Sequence, residues 1–173
     1  YNDLDFTEEG LDVTGDGSYA TKIGIVFGKT YHIKDFIWVN TRYSFGYFYF
    51  TPVKVKGFNT FGGGFDTAGT IKRWGSIPIS VGVELTLTRN LAVAFDILSL
   101  LAGPNTFEGN PGYTDLGIAP AIGNKRVYQL SIAPAVEWSF SPQLGLIFGG
   151  WFSLYGHNAD NFSSFVFSIN IYK

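Results

Sequence analysis

Residues 77–88 alternate without a break. Ile77, Ile79, Val81, Val83, Leu85 and Leu87 share one parity, and Pro78, Ser80, Gly82, Glu84, Thr86 and Thr88 the other. A period of two sends the two sets to opposite faces of an extended strand. Strands of water-soluble sheets usually run to about five or six residues, whereas a tilted strand crossing a bilayer needs about nine to eleven. A run of this length with one wholly apolar face is therefore best served by a sheet that meets lipid on one side. Because every backbone polar group inside lipid must be satisfied within the protein, such a sheet has to close.

The same reading applies along the chain. Residues 128–140 alternate Tyr128, Leu130, Ile132, Pro134, Val136, Trp138 and Phe140 against Gln129, Ser131, Ala133, Ala135, Glu137 and Ser139. Residues 19–27, 37–49, 91–101, 144–154 and 163–171 follow suit, with Leu98 and Leu100 blurring the alternation in the fourth strand in chain order, 91–101. Composition agrees: 15% charged residues is low for a soluble domain, and 22 glycines and 17 phenylalanines favour strands and turns over helices. The longest uncharged run, 138–159, is broken by Pro142 and four glycines, so it does not read as a membrane helix. The expected fold is all-β, an antiparallel transmembrane β-barrel with about seven or eight strands in this chain. Residues 1–173 form a single barrel domain in this reading, with 1–17 a polar N-terminal segment. A soluble β-sandwich, whose apolar faces meet each other, is the alternative.

Connections set the direction. Residues 88–90 and 141–143 are tight turns and 28–36 is fairly short, while 51–76 and 102–127 are long, glycine-rich loops. Outer-membrane barrels have short periplasmic turns and longer external loops, which sends the odd-numbered strands towards the periplasm and leaves the N-terminus outside. Tyr19, Tyr47, Tyr49 and Tyr128 then mark the external lipid boundary, and Phe27, Trp138 and Phe140 the periplasmic one. Both end strands run the same way, so seven strands cannot close by a regular antiparallel seam. Residues 3–13 are one source of an eighth strand, although their acidic residues would charge both faces. The other sources are a larger barrel of which this is the C-terminal portion, or another protein chain completing or flanking the wall. No signal peptide and no methionine occur, which reads as a processed or trimmed chain beginning at Tyr1.

Parity turns Lys22, Arg42, Glu84, Asp96 and Glu137 inward, at overlapping heights. Such a layer either pairs internally, satisfying charges that are costly alone, or lines a water-filled constriction that filters solutes by charge. No catalytic, cofactor-binding or metal set emerges, and the expected cofactor is none. His157, in Gly156-His157-Asn158-Ala159-Asp160, falls in a predicted external turn, and His32 in a turn at 30–34. Gly62-Gly63-Gly64 lacks the Lys-Ser/Thr of a phosphate loop and reads as flexible loop. Asp12 to Asp16 lack the spacing of a calcium loop. Cysteine is absent, excluding thiol chemistry, and a net charge of -2 gives no footprint for nucleic acid. The apolar loop around Phe107, Tyr113, Leu116 and Ile118 is expected to plug the mouth, capture hydrophobic solutes, or pack on its own rim.

Thr14-Gly15-Asp16-Gly17-Ser18 entering a strand, Ile132-Ala133-Pro134-Ala135-Val136-Glu137 followed by Ser141-Pro142, and Gly156-His157-Asn158-Ala159 before a final strand carry a resemblance. In that order they resemble the C-terminal half of the outer-membrane transporters associated with aromatic-compound degradation, and more distantly the long-chain fatty-acid transporter barrels. The resemblance implies passive uptake of small, often apolar molecules. The sequence thus leads to a bacterial outer-membrane channel or transporter component, contacting outer-membrane lipid and passing a small solute without enzymatic chemistry. A structural or surface-interaction barrel with a plugged lumen is the second expectation. A lipid-modifying enzyme led by His157 is the third.

Overall fold

A computed structural model describes residues 17–171; the expected strand at 3–13 and the acidic residues at 12–16 lie outside the described residues. In chain order the strands are β1 (Ala20–Lys34), β2 (Ile37–Phe50), β3 (Val53–Lys56), β4 (Ala68–Lys72), β5 (Ser76–Thr86), β6 (Leu91–Ala102), β7 (Thr106–Asn110), β8 (Val127–Ser141), β9 (Leu144–His157) and β10 (Ser163–Ile171). There is no helix among the described residues. The sheets are antiparallel, and the chain packs as two compact units.

The larger unit holds most of a seven-stranded sheet in the order β1-β2-β5-β6-β8-β9-β10. These are the seven strands that alternation predicts, and every one has at least nine residues. Register is set by side-chain complementarity across the ladder: Val136 lies opposite Phe148 and Trp138 opposite Leu146, while Phe165 faces Gly150 and Phe167 faces Phe148. One extra residue, Leu154, bulges from β9 between the Leu130–Tyr155 and Ser131–Ser153 pairs. The tight turns meet at one end of the sheet. Arg89 stacks its guanidinium 4.2 Å above the Phe36 ring, and Asn90 Nδ2 donates to the Ser139 carbonyl at 2.6 Å.

The two faces of this sheet differ in chemistry. One carries Phe27 stacked on Tyr43 at 5.2 Å and Phe148 beside Phe165 at 6.2 Å, together with Val83, Phe95 and Val136. The other carries Ser44 hydrogen-bonded to Ser80 at 2.6 Å, and Trp151 Nε1 donating to Ser131 Oγ at 2.8 Å. The apolar side chains stay bare: Val83 is 43% exposed, Phe148 57% and Phe165 73%. Of the seven aromatic residues expected at the two boundaries, Tyr19, Phe27, Tyr47, Tyr49, Trp138 and Phe140 are likewise exposed, and Tyr128 is half-buried.

Among the described residues no sheet is closed into a barrel; β1 and β10 are the edges of the seven-stranded sheet. The physical reason is direction: successive neighbours alternate, so the first and seventh strands run the same way and cannot complete an antiparallel ladder with each other. Alternation underestimated β1, which continues past Phe27 to Lys34 and turns through Asp35 (φ 47°) and Phe36. His32 accordingly lies in the strand rather than in a turn, its ring 4.2 Å from that of Trp38.

The smaller unit contains the segments read above as two long loops. Both contribute strands to a second sheet, β3-β4-β7, in which Val53 pairs with Ile71 and Ile71 with Phe107. Val55, Phe61 and Ile71 form a small core, with Val53, Phe107 and Ile122 packed against it. The Gly62-Gly63-Gly64 segment is ordered within it. Gly62 donates its N–H to the Asn59 carbonyl at 2.9 Å, and Gly64 donates to the buried Thr67 hydroxyl at 2.8 Å. Thr67 in turn donates to the Pro111 carbonyl at 2.7 Å. A Cβ on Gly62, at φ +94°, would overlap the Ala121 carbonyl oxygen, so only glycine fits this turn.

Candidate functional site on the polar sheet face

The polar face owes its arrangement to the pleat. Asn40 and Arg42 are two residues apart on β2, as are Gly82 and Glu84 on β5, and Asp96 stands on β6, so all five project to one side. Arg42 Nη2 reaches both carboxylate oxygens of Asp96 at 3.2 Å. Strands β2 and β6 are not neighbours, since β5 runs between them, and two strand spacings amount to about 9–10 Å. The pair spans that distance because Gly82 occupies the crossing point. A Cβ there would overlap Asp96 Oδ1 and sit 3.7 Å from Arg42 Nη2. One step along β5, Asn40 Nδ2 donates to Glu84 Oε1 at 3.0 Å. A recess of about 150 Å³ is lined by Asn40, Arg42, Gly82, Glu84 and Asp96.

Electrostatically, the pair is open to solvent on its cationic side: the Arg42 side chain is 64% exposed and that of Asp96 27%. Exposed ion pairs of this kind are individually weak, and what the arrangement fixes is where the charge sits. With the Arg42 side chain so exposed, its guanidinium donors not used on Asp96 are open to an anion or to water. Glu137, on β8, lies over a second glycine: a Cβ on Gly145 would come within 3.7 Å of Glu137 Oε1. Lys22 belongs to the other compact unit, where its Nζ stands 5.1 Å above the Phe48 ring.

Internal pairing is thus partial. Of the five charged residues expected to form one layer, Arg42 and Asp96 are paired and Glu84 is held by an amide rather than a cation. Glu137 has no ion pair among the described residues, and Lys22 makes a cation–π contact. Sequence reasoning missed Asn40 and Gly82. Parity offered a signal for both, since each lies two residues before a charged inward residue. His157 ends β9 opposite Tyr128 and is exposed, away from the acidic residues of the polar face in the ladder.

The opposite, apolar face has its own depression, about 600 Å³, bordered by Val83, Phe95, Val136, Phe148, Phe152 and Phe165. No family, curated protein or solved structure matches the chain.

Proposed function

We propose that the seven-stranded sheet is part of the wall of a bacterial outer-membrane β-barrel, a channel or transporter component for passive passage of small solutes. The observation that carries the reading is the two-faced sheet of long strands. Bare Val, Ile, Leu and Phe lie on one side, and a hydrogen-bonded polar face bearing Arg42, Glu84 and Asp96 lies on the other. In water such a face exposes far more contiguous apolar area than soluble proteins tolerate. In lipid it is the expected outer surface. The motifs similar to those of the aromatic-degradation transporters support a solute that is small and often apolar.

Fractionating Gram-negative cells that export the chain provides the first test, with recovery in the outer membrane expected; a folded chain in the aqueous fraction would end the proposal. Conductance in planar bilayers tests passage. Glu84→Gln with Asp96→Asn is expected to shift ion selectivity towards anions, and an unchanged selectivity would leave the polar face without a filtering role. A plugged, partner-binding barrel is the second reading, and the ordered core of Val55, Phe61 and Ile71 in the excursions between strands supports it. Loop deletions that fail to open any conductance would favour it.

A further inference from the structure

Four apolar side chains stand together on the polar face of the seven-stranded sheet, against the alternation that puts polar residues there: Leu98 on β6, Ile147 and Trp151 on β9, and Val166 on β10. They border one depression of about 300 Å³. We propose that this depression and the adjoining recess of Arg42, Glu84 and Asp96 form one binding site for a small organic cation, an apolar or aromatic body carrying an ammonium head. The inference rests on the channel reading for one point alone, that the bound molecule is a solute in passage.

Small residues make the floor of the depression. Gly149 lies opposite Ala135 on β8 and Val166 on β10, and a Cβ on it would come 3.0 Å from the Pro134 carbonyl oxygen and 3.1 Å from the Ala135 Cβ. Ala133 lines the same floor. One wall is held firmly, since the Trp151 indole donates to Ser131 Oγ at 2.8 Å and meets the Phe162 ring edge-on at 4.9 Å. The described residues leave the depression uncovered: Trp151 is 42% exposed and Val166 50%. Its size is at the lower end of the range for ligand pockets, about 300–1,000 Å³, which suits a small molecule, and an apolar lining with a few polar groups to one side is how such pockets orient what they bind.

Asp96 borders both depressions, and there the charge of the head is decided. Strands β2, β5, β6, β8, β9 and β10 carry Arg42 as their one Lys or Arg, against the carboxylates of Glu84, Asp96 and Glu137. Arg42 is already engaged by Asp96, while Glu84 receives the Asn40 amide on Oε1 and no cation among the described residues. An ammonium group brings three donors and no acceptor, so it matches the spare lone pairs of Glu84 and Asp96. An anion could reach Arg42 only by adding a further negative charge beside these carboxylates. With its head on Glu84 and Asp96 and its body along Leu98, Ala135 and Trp151, a single molecule fills both depressions.

The test titrates the full chain with phenethylammonium chloride and follows the Trp151 indole and Gly149 amide signals by NMR, in whichever fraction, phosphatidylcholine nanodiscs or buffer, holds the folded chain. Saturable shifts of both signals are expected. Ethylammonium, which lacks the ring, and phenylacetate, which reverses the charge, are each expected to bind at least about tenfold more weakly. Glu84→Gln should weaken phenethylammonium about two- to fivefold, in keeping with one partly exposed charge contact, and leave phenylacetate no weaker. Ala133→Leu fills the floor and should remove binding while the amide pattern of β8 and β9 is kept; should that variant misfold, Glu84→Gln carries the test. The absence of a saturable shift overturns the proposal, as do equal binding of phenylacetate, equal binding of ethylammonium, or full affinity in a folded Ala133→Leu chain. Binding by a chain folded in buffer would uphold the site and end the channel reading, whereas a chain in lipid that binds nothing would end the site and leave that reading standing.

Discussion

The two compact units put hydrophobic residues to opposite use. In the smaller, Val55, Phe61 and Ile71 are withdrawn from solvent beneath three short strands, as in any water-soluble fold. The larger has longer strands and many more aromatic residues, yet no large apolar side chain of its described residues is buried. The difference teaches that apolar content does not make a core. A sheet buries one face only when another layer covers it, and the described residues of this unit supply no such layer over the apolar face of the seven-stranded sheet.

Substitutions that ask each unit what it expects as solvent can break the comparison. The largest effect is expected for Ile71→Ala, since Ile71 is 0% exposed. Truncating such a side chain costs about 2–5 kcal/mol, to be seen as accelerated amide exchange in β3 and β4 with β8 and β9 unchanged. Equal acceleration in both would mean that the units do not stabilise separately. Next comes Val83→Lys on the bare face. In vesicles it should lower stability to urea by about 2–4 kcal/mol, the cost of a cation near the middle of a bilayer. An unchanged midpoint would show that this face does not meet lipid.

Gly82→Val, on the polar face, is expected to cost about 1–3 kcal/mol through overlap with Asp96. It should also abolish the coupling between Arg42→Ala and Asp96→Ala in a double-mutant cycle. Persistent coupling would mean that the pair does not need the glycine to cross β5. In the unaltered background that coupling itself should be the smallest quantity, about 0.2–1 kcal/mol, because Arg42 is largely exposed.

Much of this was legible in the sequence, for reasons that differ by region. The seven long strands declare themselves because a period of two over nine or more residues leaves no competing periodicity. Strands β3, β4 and β7 do not. Each has only four or five residues, β4 and β7 include Gly69 and Gly109, and their pairing joins Thr70 to Glu108 across much of the chain. Nothing local specifies such a ladder. The polar face was half legible: parity gives the side on which Arg42 and Asp96 stand, but not that the pair reaches past an intervening strand. That contact depends on strand order, and on a glycine whose contribution is the side chain it lacks.

The β4–β7 ladder also has a consequence for order in time. It joins Lys72 to Thr106, so β5 and β6 lie wholly within the loop that it closes. Bringing the ends of so long a flexible loop together is entropically unfavourable until something inside it stiffens. Pairing of β5 with β6 supplies that stiffening. The small sheet is therefore expected to assemble after the hairpin that lies between its strands in the chain, so that in a pulse-labelling experiment its protection should appear only once β5 and β6 are protected.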